Sequence, residues 1–284
     1  MSQCSSDDIN KYFEYVKSIG NGAFGVVYKA RVLPLARQEL PEFADDDVEF
    51  VAIKSQRAKN QFELNQYIRE TQVMKTIRGT MVLKYYGCFV KSKTVVSVVM
   101  ELCDGQDLET ILKDQLSVGQ KTTILGDLAR AIGELHSVGI AHRDIKPSNI
   151  MICGGEFKLV DYGLAMDLND PQAKYKRAGT PSYMDLWPLS KERTYLADWW
   201  SWGQVAAFMY TGRNYLVNGS PKSKSSPFIT ISNTPNIFIP VDPASLSLEI
   251  PEVIRNLVLD MTNPDTPPED RPTADYILSI FGGI

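Results

Sequence analysis

Asp144, Lys146 and Asn149 stand close together in the run His142-Arg143-Asp144-Ile145-Lys146-Pro147-Ser148-Asn149. An acid, a cation and an amide at this spacing suit in-line phosphoryl transfer. Asp144 can orient an attacking hydroxyl and accept its proton. Lys146 can neutralise charge on the transferred phosphate, and Asn149 can offer its amide oxygen to Mg²⁺. A polar turn of no chemical use would not need this set directly behind a long amphipathic helix. Asp161-Tyr162-Gly163 closes the apolar strand Phe157-Lys158-Leu159-Val160. A carboxylate at a strand end before glycine is a second candidate metal ligand, weak alone and strong behind Asp144 and Asn149.

Earlier in the chain lies Gly20-Asn21-Gly22-Ala23-Phe24-Gly25, with Val27 two residues on. Three glycines at this spacing also occur in dinucleotide-binding turns, but there a helix follows, and here a strand does. A strand–glycine turn–strand lid can bring backbone N–H groups against phosphates. Val51-Ala52-Ile53-Lys54 ends the next strand but one element. A lysine there is ordinarily a solvated charge. Glu70, however, shares a helical stripe with Tyr67, Met74 and Ile77, and a glutamate on an apolar face needs a cation or it protonates. Lys54 and Glu70 would satisfy each other, with Glu63 the weaker candidate for the same partner.

The elements that must carry these residues follow from pattern. Strands are expected over residues 12–19, 26–32, 50–55, 83–90 and 94–101. A helix is expected over 60–77, with Asn60 as its cap. Two prolines and the acidic run Asp45-Asp46-Asp47 mark the stretch from Leu33 to Glu49 as a long exposed loop, dispensable for activity or a docking surface for a basic partner. Beyond Asp104 the pattern turns helical. Ser117 and Gln120 open a helix whose apolar stripe is Ile124, Leu128, Ile132 and Leu135. Residues 198–210 read as a buried helix stopped by Gly212, and further helices are expected over 251–261 and 273–281. The fold class is α+β. One domain over 1–284 is expected, with a β-rich lobe of about 11–102 carrying one main helix, a larger helical lobe over 103–284, and a flexible tail over 1–10.

The chain has 284 residues and 44% hydrophobic content, enough for a substantial core. A net charge of −4 gives no general basic surface for nucleic acid. Cys4, Cys88, Cys103 and Cys153 form no metal-like pair and are expected to be buried or half-buried thiols. The start of the chain lacks a signal-peptide pattern, and no apolar run reaches membrane-spanning length. The expectation is a soluble cytoplasmic protein, with delivery into another cell left open.

Taken in order, the glycine-rich turn, Val-Ala-Ile-Lys54, His-Arg-Asp144-x-Lys146-x-x-Asn149 and Asp161-Tyr-Gly resemble the eukaryotic-type protein kinase superfamily over nearly the whole chain. The resemblance implies a bilobal kinase-like fold, ATP and Mg²⁺ as cofactors, and a protein substrate. It makes Met100 the bulky residue at the back of the nucleotide pocket and Glu101 and Cys103 the backbone contacts of adenine. Val27, Ala52 and Met151 would sandwich the base, and Asp107 would reach the ribose. Lys146 and the Gly179-Thr180-Pro181 context resemble the serine/threonine branch.

Two departures stand out. Tyr162 replaces the usual phenylalanine, adding a hydroxyl that wants a partner. Where the family has Ala-Pro-Glu, this chain has Asp185-Leu186-Trp187, so the late arginine, Arg271, loses its usual glutamate; Glu192 and Asp270 are nearby substitutes. This departure supports the alternative of a pseudokinase acting as a binding module; a small-molecule kinase is a further alternative. Between Gly163 and Ala178 the only hydroxyl is that of Tyr175, flanked by Lys174 and Lys176. Asp167 or Asp170 can instead lend Arg143 a carboxylate, so activation by Ser/Thr phosphorylation of this segment is not expected.

Overall fold

The structure is a computed structural model that describes residues 5, 8–22, 25–44, 47–77, 79–112, 116–171, 178–185, 190–212, 216–218, 228–231, 234–238, 244, 246 and 250–282. The chain divides into two compact units, Met1–Asp104 and Gly105–Ile284.

In the first unit, runs rich in valine, isoleucine and aromatics form strands because branched and aromatic side chains suit a pleated surface. They are β1 (Phe13–Gly22), β2 (Gly25–Val32), β3 (Phe50–Arg57), β4 (Tyr85–Lys91) and β5 (Val95–Glu101), in the antiparallel order β1-β2-β3-β5-β4. Successive side chains point to opposite faces. Val51 and Ile53 are therefore buried with Phe13, Phe89 and Val99 on one face. Ala52 and Lys54 point the other way, where Val27 stands opposite Lys54 and Met100 opposite Ala52. Helix α2 (Gln61–Thr76) packs on β4 and β5. Asn60 caps it, its Oδ1 accepting the Glu63 amide at 2.9 Å.

The stretch between β2 and β3 corrects the loop reading. Pro34 opens helix α1 (Pro34–Glu39), and Pro41 opens a 3-10 turn through Phe43. Proline at a helix start loses no hydrogen bond, because that N–H has no partner in the helix anyway. The two prolines thus begin helices here instead of breaking them. Ala36 and Phe43 are buried in the sheet core. The Phe43 ring stacks on Tyr86 with centroids 4.6 Å apart, and Arg37 donates to the Val48 carbonyl at 2.9 Å. Of the acidic run, Asp47 is exposed, while Asp45 and Asp46 lie outside the described residues. The expected tail is also partly built in. Ile9 is buried, and Ser5 forms a parallel bridge to Phe89.

In the second unit β6 (Gln106–Asp107), helix α3 (Leu108–Ile111) and helix α4 (Val118–Ser137) come first. Ser117 and Gln120 cap α4 reciprocally. Strands β7 (Ile140–Ala141), β8 (Ile150–Cys153), β9 (Glu156–Leu159) and β10 (Met166–Asp167) flank the run from His142 to Asn149. Helix α5 (Lys191–Thr211) begins seven residues before the apolar run that announced it, and Gly212, at φ 67°, ends it. Its Trp199, Trp200 and Trp202 are among the largest fully buried side chains. The Trp202 indole donates to the Leu125 carbonyl of α4 at 3.0 Å. Each buried leucine or isoleucine along α4 contributes about 1.5–3 kcal/mol.

A small sheet in the order β11-β13-β12, from Leu216–Asn218, Phe228–Ile231 and Thr234–Phe238, was not expected. Its strands are too short to show an alternation. Helices α6 (Glu252–Met261) and α7 (Ala274–Phe281) complete the unit. No described helix is long and apolar enough to cross a membrane. Cys88, Cys103 and Cys153 are disulfide-bonded, which corrects the free-thiol expectation. Spacing along the chain does not reveal which sulfurs the fold brings together.

Candidate active site

The loop from His142 to Asn149 hangs from one buried carboxylate. Asp198 of α5 accepts the backbone amides of His142 and Arg143, each at 2.8 Å, and His136 Nε2 lies 2.9 Å from its Oδ2. Burial pushes the Asp198 pKa up. The hydrogen bond from His136, the electrostatic influence of His136 and His142 and the Arg143 amide outweigh that and hold it below the usual carboxylate value. His142 is buried, and desolvation lowers its pKa despite the nearby carboxylates. Its neutral ring joins two backbone segments: Nε2–H donates to the Val160 carbonyl at 3.1 Å, and Nδ1 accepts the Asp144 amide at 3.3 Å.

This suspension places Asp144 at a hub. Its Oδ1 accepts both the amide and the hydroxyl of Thr180, each at 2.8 Å. Its Oδ2 accepts Lys146 Nζ at 2.8 Å and Asn149 Nδ2 at 3.0 Å. Lys146 also donates to the Thr180 hydroxyl at 2.8 Å. The Asn149 amide nitrogen is thereby committed to Asp144, including its carbonyl at 2.8 Å. That leaves the Asn149 carbonyl oxygen as the hard donor a Mg²⁺ ion prefers. Arg143 and Asp161 both sit at positive φ, 69° and 62°. Such non-glycine strain marks backbone held by its surroundings for a purpose. Gly179, at φ 124°, lies so near the Arg143 carbonyl that an added Cβ would approach it to 2.5 Å. Only glycine admits Thr180 to the hub.

Tyr162 finds the partner its hydroxyl needs. It donates to the Leu159 carbonyl at 2.7 Å, and its ring stands 5.1 Å from that of His142. Burial raises its pKa well above the ordinary phenol value, so it stays protonated.

The remaining sequence-predicted residues fall on defined elements. In the first unit Gly20, Asn21, Gly22 and Gly25 form the β1–β2 hairpin end, with Gly22 opposite Gly25; Ala23 and Phe24 lie outside the described residues. Lys54 is half-buried on β3 and Glu70 half-buried on α2. Glu63 accepts the Lys59 amide at 2.8 Å and is engaged at the helix start. Glu101 closes β5, and its carboxylate accepts the Lys84 amide at 3.0 Å; Cys103 follows. In the second unit Asp107 and Met151 stand opposite each other across β6 and β8. Asp107 also caps α3 through the Thr110 amide and hydroxyl.

Sequence reasoning missed one residue. Arg271 pairs with Asp185, Nη1 to Oδ2 at 2.9 Å and Nη2 to Oδ1 at 3.3 Å. Asp270 is exposed, and the Glu192 side chain lies outside the described residues. The signal was present: Asp185 is the one acid inside the Ala-Pro-Glu-like triplet itself. Asp167 accepts the Asn169 amide. Tyr175 and its flanking lysines lie outside the described residues.

The model of the protein kinase domain matches residues 13–280. The chain belongs to the protein kinase family. It is of the eukaryotic type and the serine/threonine branch, with the family's bilobal α+β fold of a β-sheet lobe and a helical lobe. This kinase domain is 30% identical over 219 residues to the serine/threonine-protein kinase max-2 of Caenorhabditis elegans, covering 76% of this chain and 32% of that protein. It is 32% identical over 223 residues to serine/threonine-protein kinase 4 homolog A of Dictyostelium discoideum, covering 76% and 45%. It is 30% identical over 228 residues to the serine/threonine-protein kinase unc-51 of C. elegans, covering 74% and 25%. The chain spans less than half the length of each of these relatives.

Proposed function

We propose that this kinase domain is an active serine/threonine protein kinase, transferring the γ-phosphate of ATP to a protein hydroxyl. The observation that carries the reading is the Asp144 hub, in which Thr180, Lys146 and Asn149 all hold one carboxylate. Asp144 orients the substrate hydroxyl and takes its proton as the new O–P bond forms and the bond from the γ-phosphorus to the β–γ bridging oxygen breaks. Lys146 stabilises charge on the phosphoryl group in transfer, and Lys54, which on this reading pairs with Glu70, would hold the other phosphates. Asn149 and Asp161 would hold Mg²⁺, which screens the phosphate charge. Positioning and charge stabilisation account for such catalysis.

The backbone from Gly20 to Gly25 would cover the phosphates. Val27, Ala52, Met100 and Met151 would enclose adenine, Glu101 and Cys103 would present backbone groups to it, and Asp107 has lone pairs left for the ribose. The whole of residues 1–284 serves as one kinase domain on this reading. The pseudokinase alternative drew on the missing glutamate, and Asp185 meets that need of Arg271. The basic-partner docking reading of the stretch between Leu33 and Glu49 draws on its acidic run, of which Asp47 is exposed. The disulfide-bonded cysteines weigh against the cytoplasmic setting expected from sequence, which is a reducing compartment.

The deciding experiment incubates the protein with labelled ATP, Mg²⁺ and a generic protein substrate. Label on serine or threonine, lost in Asp144→Asn and with a chelator, supports the reading. Nucleotide binding without transfer indicates a pseudokinase, and label only on small metabolites indicates the small-molecule alternative.

A further inference from the structure

The three-stranded sheet between α5 and α6 is antiparallel, with β13 in the middle. β13 pairs with β11 on one side, Leu216 opposite Phe238 and Asn218 opposite Asn236. On its other side it pairs with β12, Phe228 opposite Ile237 and Ile231 opposite Thr234. Among the described residues β11 and β12 each have one partner strand, so they are the two edges. An edge strand keeps one row of backbone N–H and C=O groups outside its ladder, and such a row can take up a further extended chain.

The position of β11 suggests what that chain is. β11 packs beside the 3-10 turn Pro181–Tyr183. Thr180 stands at the start of this turn and holds Asp144 by its amide and its hydroxyl. One short turn therefore lies between the Asp144 hub and the sheet. An extended peptide advances about 3.3 Å per residue, so one whose acceptor hydroxyl sits at Asp144 reaches β11 within a few residues.

Charge narrows the chemistry further. From Arg213 to Val241 the sequence holds Arg213, Lys222 and Lys224 and no aspartate or glutamate, in a chain whose net charge is −4. Covalent connection keeps the cations near the strand. Arg213 comes three residues before Leu216 and Lys222 four after Asn218, which limits them to roughly 11 and 14 Å along an extended backbone. A cationic stretch in an acidic chain favours an acidic partner and steers it to this place.

We infer that the β11 edge docks an acidic, extended segment of the protein substrate close to its acceptor residue, with Arg213, Lys222 and Lys224 supplying the opposite charge. This names a substrate class for the kinase reading above and rests on that reading.

The test gives the full chain peptides that share one acceptor sequence and differ in an extension placed before or after it. The extension is aspartate, asparagine, or aspartate methylated on its backbone nitrogens. On one side of the acceptor, aspartate is expected to lower the peptide KM about 3- to 10-fold against asparagine, the scale of two exposed ion pairs. Salt at about 0.5 M is expected to remove that gain. N-methylation is expected to cost most of it, because it removes the donors that strand pairing uses. Lys222→Glu/Lys224→Glu is expected to erase the difference between the aspartate and asparagine peptides. If that pair does not fold, Lys222→Ala and Lys224→Ala are measured singly, each expected to lose part of the difference. Equal KM for aspartate and asparagine on both sides, a gain that survives N-methylation, or a gain that the lysine variants keep overturns the proposal. So does a wild-type dimer that the lysine variants dissolve while aspartate brings no gain, which assigns the edge to a second copy of the chain. A wild-type chain that transfers no phosphate to any peptide sinks the kinase reading instead. In that case anisotropy of the fluorescein-labelled peptides without ATP still decides. Tighter binding of the aspartate peptide, lost in the lysine variants, supports the docking edge, and equal binding refutes it.

Discussion

Thr180 holds Asp144 twice, by its amide and by its hydroxyl, on the same carboxylate oxygen and at the same 2.8 Å. The hydroxyl also receives Lys146. Thr180→Val keeps the shape and the amide but removes the hydroxyl from both partners. Peptide phosphorylation is expected to fall about 10- to 100-fold through loss of alignment, with Thr180→Ser near wild type. Equal activity in Thr180→Val would show that the hydroxyl is idle.

Tyr162→Phe removes the hydrogen bond to the Leu159 carbonyl. The expected cost is about 0.5–1.5 kcal/mol of stability, read as a small drop in Tm, with phosphoryl transfer within a few-fold of wild type. A large loss of transfer at unchanged Tm would instead place the hydroxyl in the chemistry.

Phe43→Ala empties a site walled by Phe13 and Tyr86. The expected destabilisation is about 3–5 kcal/mol, measured by denaturant unfolding, whereas Asp47→Ala on the exposed rim is expected to be neutral. Excising the stretch between β2 and β3 is therefore expected to unfold the small unit, contrary to the dispensable-loop expectation. A stable, active deletion would return it to loop status.

Two groups make stability depend on pH in the same direction. The folded pKa of His142 lies below its ordinary value. As pH falls below about 6.5, the unfolded chain takes up a proton that the folded one refuses, so stability drops, by at most about 1.4 kcal/mol per pH unit. Asp198 is also lowered, and its contribution is lost only in strong acid, below about 3.9. Tm measured from pH 7.5 to 5 is expected to decline, and His142→Phe to flatten that decline whatever its absolute Tm. An unchanged slope would assign the dependence to other groups.

Thiol titration of the unfolded, unreduced protein is expected to find no free sulfhydryl at Cys88, Cys103 or Cys153. Reduction is expected to lower stability by about 2–4 kcal/mol per bridge. Full thiol reactivity in protein purified under argon from a reducing cytosol would contradict the bonded state.

The sequence by itself determined the family and most of the elements. The loop carrying Asp144, Lys146 and Asn149 is local, so spacing alone brings its groups within reach of one carboxylate. The caps at Asn60 and Ser117 are likewise legible, because a cap acts over three residues. Tertiary structure decided what depends on distant partners. Pro34 and Pro41 are ambiguous between loop and helix start until Phe43 finds Tyr86. Arg271 could have drawn on any of several acids. Asp185, 86 positions away in the chain, won because its carboxylate is the one delivered, buried, to the guanidinium over Trp200. Burial makes that choice: a charge removed from water must be matched in place, and place is a property of the fold, not of the neighbouring letters.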